Sequence, residues 1–475
     1  VKQLRTRFRV LALFVVGLLV VAGLYGVYSV ATYGSRWFSS SRNVRYQAAK
    51  RTVIAGDITD RNGVVMATTD AQGERVYQSS IKARRATVHV LGDRDGNVAN
   101  GVDSFQANYL LGFETSLTER VAALLRGQTR RGDDLTLTID SKLCTRIVNI
   151  FETGADTAGK SGAAVVMNYK TGEVVGLVSL PVFDPQTITD QDRQNPQHPF
   201  WNRALQSTLA PGSTFKIITA ASALENMSNI ATTTFVCTGA TQVLDQVIHD
   251  YKLAQHGSVT LEKAFTVSCN NAFAQCALML GDQNLRKTAE DFGFNDNFLF
   301  REVVVENSVY PTQNRNAVQV AWSGAGQSDI GATPMHMCMV AAAIANDGVM
   351  MEPRMLQAVM GPGGVTRLRY TPKVYRRAVP VGIAATLQTY MQNVVATGTG
   401  TAARVSGLTI AGKTGSAEAS IDNVPVTNAW FVGYIADDSL PYACAVLVEA
   451  GDSGGSVAAP IAAGIFKYIK DNFTN

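Results

Sequence analysis

The sequence predicts an α/β protein of the α+β type, in which a largely antiparallel sheet is covered by helices and preceded by a single transmembrane helix and a smaller N-terminal domain. Three observations predict it. One uncharged apolar run stands near the start, at residues 10–33; the middle of the chain is apolar at helical spacing; and short apolar strands lie on both sides of that helical block. Composition agrees with this reading. A chain of 475 residues, 46 % hydrophobic and 17 % charged, has material for two or three cores and is too apolar to be disordered. With one long apolar run it is not a polytopic membrane protein. The net charge of +4, from 42 basic and 38 acidic residues, and the lack of a basic block interleaved with aromatics argue against nucleic acid as a partner.

In chain order, residues 10–33 suffice to cross a hydrocarbon layer of about 30 Å as a helix. Lys2, Arg5, Arg7 and Arg9 precede them. By the positive-inside rule, residues 1–9 are then a cytoplasmic tail and the remainder is extracytoplasmic, although Arg36, Arg42, Arg45, Lys50 and Arg51 dilute the asymmetry. A retained anchor is expected rather than a cleaved signal, because the run exceeds the usual signal core of about 7–15 residues. Residues 34–134 form the smaller domain, with a basic juxtamembrane linker and a strand–turn–strand over 56–67 that turns at Asn62-Gly63. Residues 135–475 form the larger domain, opened by the period-two alternation of 135–140. A hairpin of 163–167 and 173–179 follows. Helices are expected over 213–225, 260–280 and 333–346, strands over 408–411, 429–435 and 443–449, and a closing helix over 458–469.

The six cysteines, Cys144, Cys237, Cys269, Cys276, Cys338 and Cys444, form no Cys-x-x-Cys pair, and the five histidines form no His-Glu-x-x-His helix. Mostly free, buried thiols are expected, with no metal and no cofactor.

Three short motifs carry chemistry. In Pro211-Gly212-Ser213-Thr214-Phe215-Lys216, Ser213 and Lys216 stand three apart at the start of a helix and so share one face. A serine hydroxyl needs a base to become a nucleophile, and a lysine serves once burial and a nearby cation lower its pKa. The helix N-terminus also favours negative charge developing on an attacked carbonyl. Ser268-Cys269-Asn270, within a helical segment, offers a hydroxyl to relay a proton and a carboxamide to hold an amide. Lys413-Thr414-Gly415-Ser416 directly follows the strand 408–411. Each motif has a chance copy: Ser79-Ser80-Ile81-Lys82, Ser41-Arg42-Asn43 and the hairpin turn Lys170-Thr171-Gly172. Order and spacing separate the functional set from the copies, with Ser268 about 55 residues after Ser213 and Lys413 about 145 further on.

This ordered triple resembles that of the class B penicillin-binding proteins, the monofunctional peptidoglycan D,D-transpeptidases anchored by one N-terminal helix. Further similar stretches are residues 56–67, 135–140 and 178–185, Asn202-Arg203-Ala204, Gly398-Thr399-Gly400-Thr401 and Trp430-Phe431-Val432-Gly433-Tyr434. The resemblance implies a penicillin-binding, β-lactamase-like transpeptidase fold over 135–475 and a pedestal at 34–134. It makes Ser213 the acylated nucleophile, Lys216 its general base, Ser268 the proton relay to the leaving amine and Asn270 the holder of the substrate amide. It assigns Lys413, Thr414, Gly415 and Ser416 to the terminal carboxylate of the donor stem peptide, and the backbone N–H groups of Ser213 and Ser416 to the oxyanion hole. The implied partners are donor and acceptor stem peptides, β-lactam antibiotics, the plasma membrane and a polytopic glycan polymerase.

Other readings are weaker. Gly451-Asp452-Ser453-Gly454-Gly455 matches the nucleophile string of chymotrypsin-like proteases, but too little chain follows Ser453 and no histidine has the required setting, so a glycine-rich loop is expected. A serine β-lactamase or D,D-carboxypeptidase would activate water, and no Glu-x-x-Leu-Asn segment lies between Ser268 and Lys413. Residues 34–134 are too few for a glycosyltransferase domain. A β-lactam sensor or an inactive cell-wall scaffold would carry the same motifs, and the nine residues before the apolar run hold no signalling module.

Overall fold

In the structure, a computed structural model, residues 2–38, 48, 50, 52–115, 119, 125, 127, 130–421 and 423–473 are described. Most of the expected juxtamembrane linker, residues 39–47, lies outside them, and with it the chance motif at Ser41. Helices of eight residues or more are numbered in chain order: α1 (Lys2–Phe38), α2 (Ser141–Thr153), α3 (Lys216–Asn226), α4 (Asn270–Asp291), α5 (Ala317–Gly324), α6 (Pro334–Ala345), α7 (Val381–Thr397) and α8 (Ala459–Phe473). The strands of the two larger sheets are β1 (Ile58–Thr59), β2 (Val65–Thr69), β3 (Arg75–Tyr77), β4 (Asp134–Leu137), β5 (Gly162–Asn168), β6 (Val174–Leu180), β7 (Leu356–Gly361), β8 (Val365–Arg369), β9 (Ile410–Ile421), β10 (Val424–Ile435) and β11 (Tyr442–Val448).

The apolar stretch of α1 is Thr6–Val30, 25 residues that are exposed along the helix except for Ser29. At 1.5 Å per residue it measures about 37 Å, enough to cross a hydrocarbon layer, so α1 has the form of a single-pass anchor.

The N-terminal part builds a six-stranded sheet in the order β8-β7-β4-β1-β2-β3. The boundary expected at residue 134 falls within β4, which pairs in parallel with β1 and antiparallel with β7, so this sheet joins strands from both sides of it. β4 is shorter than the alternation over 135–140 predicts, for two local reasons. The Thr138 hydroxyl donates to Val174 O at 2.7 Å. The Asp140 carboxylate accepts from Leu143 N at 2.8 Å and thereby caps α2.

The second sheet is wholly antiparallel, in the order β9-β10-β11-β5-β6. The hairpin β5–β6 turns at Asn168, whose side chain accepts from Lys170 N and Thr171 N, and Gly172 takes φ +80°. The upstream Lys170-Thr171-Gly172 copy is therefore turn chemistry. Every residue of β5, β6 and β11 is buried, because α2 and α8 cover one face and α6 the other. α6 is buried along its whole length, which explains why it is apolar all round.

β9 forms the edge of this sheet, and the 3₁₀ turn Gly212–Phe215 packs beside it. That approach needs small residues. A Cβ on Gly415 would stand 3.0 Å from Pro211 O and from Thr214 Cγ2. The Gly451–Gly455 stretch is the expected glycine-rich loop between β11 and α8. Its Gly454 sits against β9 and β10 so closely that a Cβ would lie 2.3 Å from both Gly415 O and Trp430 O. Gly454→Ala is accordingly expected to destabilise the protein by about 2–3 kcal/mol through forced backbone displacement. Gly382→Ala, in α7 with open space around its Cβ, is expected to be neutral or to stabilise by up to about 1 kcal/mol. Thermal melts of the two variants check both values.

Candidate active site

Ser213 sits half-buried in the 3₁₀ turn, and Lys216 follows as the first residue of α3, wholly buried. The turn is set by Gly212, at φ +52°, whose N–H donates to Gly326 O at 3.0 Å. Gly326, at φ +78°, has no room for a Cβ, which would meet Gly212 O at 2.0 Å.

The second motif departs from its expected setting. The segment 260–280 is not one helix: a helix over Leu261–Val267 ends, and α4 begins at Asn270. Ser268 stands in the joint at φ +60°, ψ +37°, a left-handed helix cap, and Cys269 caps α4 by accepting from Ala272 N at 3.3 Å. The break lifts Ser268 and Asn270 out of helical register, so both can face the same point. Asp250 secures it. Its Oδ1 accepts from Asn270 N and its Oδ2 from Asn271 Nδ2 at 3.0 Å, while Asn270 Nδ2 donates to His249 O at 2.9 Å.

The third motif lies on β9, where alternation buries Lys413, Gly415 and Ala417 on one side. Thr414 and Ser416 share the other. Lys216 Nζ donates to Ser268 O at 2.6 Å, to Asn270 Oδ1 at 2.7 Å and to Ser268 Oγ at 3.3 Å. Lys413 Nζ donates to Ser268 Oγ at 2.8 Å and to Thr414 O at 3.1 Å. Two buried ammonium groups thus meet on one serine hydroxyl, and residues from three distant segments form one cluster.

The Penicillin binding protein transpeptidase domain family matches residues 162–467, which span all three motifs. The chain belongs to the class B penicillin-binding proteins. The peptidoglycan D,D-transpeptidase PbpA of Mycolicibacterium smegmatis is 32% identical over 366 residues, covering 72% of this chain and 73% of the relative. Stage V sporulation protein D of Bacillus subtilis is 32% identical over 351 residues, covering 71% of this chain and 53% of that protein. Among solved structures, penicillin-binding protein A from M. tuberculosis as a ceftriaxone acyl-enzyme complex superposes with a TM-score of 0.79 at 27% identity, covering 88% of this chain and 98% of that one. Its penicillin G acyl-enzyme complex gives 0.77 at 27% identity, covering 87% and 99%.

Electrostatics in this penicillin-binding protein follow from the burial of both lysines. Burial lowers the Lys216 pKa to about 8, against a smaller upward pull from Cys269 and Asp250. Burial also holds Lys413 well below the ordinary lysine range, and the neighbouring Lys216 charge adds to that. Lys216 faces the Phe273 ring at 5.3 Å and Lys413 the Phe265 ring at 5.7 Å. Neutral Lys216 keeps two N–H bonds and gains a lone pair. The bond it can most easily release is the long one to Ser268 Oγ, at 3.3 Å.

The hydroxyls on the outer side of β9 are already oriented. Thr414 Oγ1 shares a 2.6 Å hydrogen bond with Thr399 Oγ1, and Ser416 Oγ accepts from Gly454 N at 3.2 Å. Both pairs retain a proton to donate. Thr399, Gly454 and Asp250 are site residues that the motif reading passes over. Thr399 was visible only within the stretch 398–401, Gly454 was hidden in the protease-like string, and nothing in the sequence marks Asp250. All six cysteines are buried and unpaired. Cys237, Asp250, His256 and Cys269 form a group able to ligate a metal ion, one layer behind Ser268 and Asn270.

With a base of pKa about 8, about one tenth of Lys216 is neutral at pH 7. Acylation by a β-lactam is expected to rise about tenfold from pH 6 to 7 and to level off above pH 8. The second-order rate with a fluorescent penicillin, followed from pH 6 to 9, checks the sign and the position of the limb.

Proposed function

We infer that this chain is a peptidoglycan D,D-transpeptidase that cross-links stem peptides through an acyl-enzyme on Ser213 and is acylated there by β-lactams. The observation that carries the reading is the meeting of Lys216 and Lys413 on Ser268 Oγ, at 3.3 and 2.8 Å, beside the turn that presents Ser213. The family and the β-lactam acyl-enzymes of its relatives support it.

The chemistry follows from the geometry. Ser213 Oγ attacks the carbonyl of the penultimate D-Ala of the donor while neutral Lys216 takes the hydroxyl proton. The backbone N–H groups of Ser213 and Ser416 face the developing oxyanion. As the peptide C–N bond breaks, the proton passes from Lys216 through Ser268 to the departing D-Ala amine. The amine of the acceptor stem then attacks the ester, the new amide forms, and Ser213 regains its proton. Asn270 holds the substrate amide. The donor pairs with the free edge of β9 as an added strand, and its terminal carboxylate accepts from the Thr414 and Ser416 hydroxyls. Lys413 is enclosed by Ser268 and Thr414 O, so it assists that carboxylate through its field more than by direct contact.

In the same reading α1 anchors the enzyme by one pass, the region from residue 34 onward lies on the extracytoplasmic side, and the smaller N-terminal part is a pedestal. A polytopic glycan polymerase beside α1 supplies nascent strands, and tethering keeps both at high effective concentration.

Labelled penicillin is expected to form one slowly hydrolysed adduct per chain, mapped by mass spectrometry to Ser213. Ser213→Ala and Lys216→Arg abolish it, since a guanidinium does not release its proton, while Ser79→Ala and Ser453→Ala leave it unchanged. Rapid release of hydrolysed drug by the purified protein would replace the transpeptidase by a hydrolase.

A further inference from the structure

A cavity of about 570 Å³ lies among β9, α5 and the hairpin formed by the strands Ala240–Val243 and Gln246–His249. Its size is within the roughly 300–1,000 Å³ of small-ligand sites. Glu418 of β9 forms one wall, Asp245 in the turn of the hairpin a second, and Trp322 of α5 with Gln327 a third. Two of these residues stand next to contacts of the turn that presents Ser213. A Cβ on Gly212 would lie 3.0 Å from Ala417 Cβ, and Gly212 N donates to Gly326 O at 3.0 Å. Glu418 and Gln327 each follow a residue that touches Gly212, so the cavity borders the nucleophile.

The walls are fixed from behind. At the start of α5, Asn316 N donates to Gln319 Oε1 at 3.0 Å and Gln319 N to Asn316 Oδ1 at 2.9 Å. The buried Arg315 donates to Ser328 O at 2.8 Å and to Ser328 Oγ at 2.9 Å, and it lies 3.7 Å from Asp282. Its charge is therefore met outside the cavity. Among the described residues the lining holds two carboxylates, Asp245 and Glu418, and no basic group. The hairpin that carries Asp245 ends at His249, whose carbonyl accepts from Asn270 Nδ2 at 2.9 Å, so the cavity and the holder of the substrate amide share one support.

Alternation along β9 puts Thr414, Ser416 and Glu418 on one face, at steps of about 6.7 Å. The first two take the terminal carboxylate of the donor, and Ser416 N faces the scissile carbonyl. A donor added antiparallel to β9 leads away from that point toward Ile421, so the residue before its penultimate D-Ala comes level with Glu418 at the mouth of the cavity. We propose that the cavity receives the side chain of that residue, and that Asp245 and Glu418 select one ending in a free ammonium group, as a diamino acid provides. The row of two hydroxyls and a carboxylate then complements a peptide with an anionic end and a cationic branch. Trp322 offers an apolar wall to the methylene stem and a ring face that favours the cation. Both carboxylates are exposed, so their pull is screened by solvent and salt and amounts to a selectivity of about five- to tenfold. The placement of the donor rests on the transpeptidase reading; the preference for an ammonium group is measurable without it.

The test uses the full chain in detergent and three N-acetylated tripeptides ending in D-Ala-D-Ala that differ in the first residue: L-lysine, L-norleucine or L-α-aminoadipate. Their side chains end in an ammonium, a methyl and a carboxylate group. Binding to Ser213→Ala protein, followed by ligand-observed NMR, is expected to rank them in that order, with lysine tighter than norleucine by about fivefold or more at low salt and the gap closing to within about twofold near 0.5 M salt. Adding Asp245→Asn and Glu418→Gln together should close the gap in the same way. Glu418→Lys should invert it, with aminoadipate binding best, a gain that only folded protein can show. Wild-type protein should release D-Ala from the lysine peptide with the higher kcat/KM. Equal affinities for the three peptides at low salt, or a lysine preference that survives both the double substitution and high salt, would overturn the proposal. A lysine preference in binding, together with no D-Ala release from any peptide and penicillin attached elsewhere than Ser213, would support the ammonium pocket and overturn the transpeptidase reading instead.

Discussion

Two lysine side chains buried on one serine hydroxyl are the constraint around which the rest of the site is arranged. An ammonium group withdrawn from water is costly unless acceptors surround it. Here those acceptors are Ser268 O, Ser268 Oγ, Asn270 Oδ1 and Thr414 O. Supplying them from one short segment requires Ser268 to turn its carbonyl and hydroxyl toward the same place. The left-handed conformation at the joint between two helices achieves this. The Cys269 cap and the Asp250 carboxylate hold the joint. The lysines in turn meet no full set of counter-charges, and burial lowers the pKa of both.

A second constraint is the closeness of backbones. The turn bearing Ser213 and the edge strand β9 approach to the point where Gly212, Gly326, Gly415 and Gly454 leave no space for a Cβ on one another or on their neighbours. This contact brings Ser213 alongside the edge strand of the sheet, an edge along which a peptide can lie extended. The fully buried β5, β6 and β11 and the helices covering them act as the rigid support behind that edge.

Much of this was legible in the sequence. The order of Ser213, Ser268 and Lys413 identified the chemistry, the hairpin and strand patterns identified the central sheet, and the uncharged run identified α1. The remainder was hidden for physical reasons. The apolar periodicity continues through 260–280, so nothing marks the break at Ser268, which depends on a cysteine acting as a cap and a carboxylate arriving from residue 250. Lys413 reads as a carboxylate anchor, yet its stem is buried and its amine is committed to Ser268 and Thr414. Cys237, Asp250, His256 and Cys269 are spaced irregularly because three strand segments and a helix cap bring them together, so no local ligand pattern exists. β4 reads as the opening of a new domain, but strand pairing ties it to β1 as well as to β7.

The central claim is that burial brings the pKa of Lys216 down to near neutral pH. NMR titration of protein carrying ¹³C at lysine Cε, with the two signals assigned from Lys216→Met and Lys413→Met variants, measures it directly. Lys216 should titrate at about 8, with Lys413 also far below the surface lysines. Titration of Lys216 together with the surface lysines, near the ordinary value of about 10.4, would contradict the account.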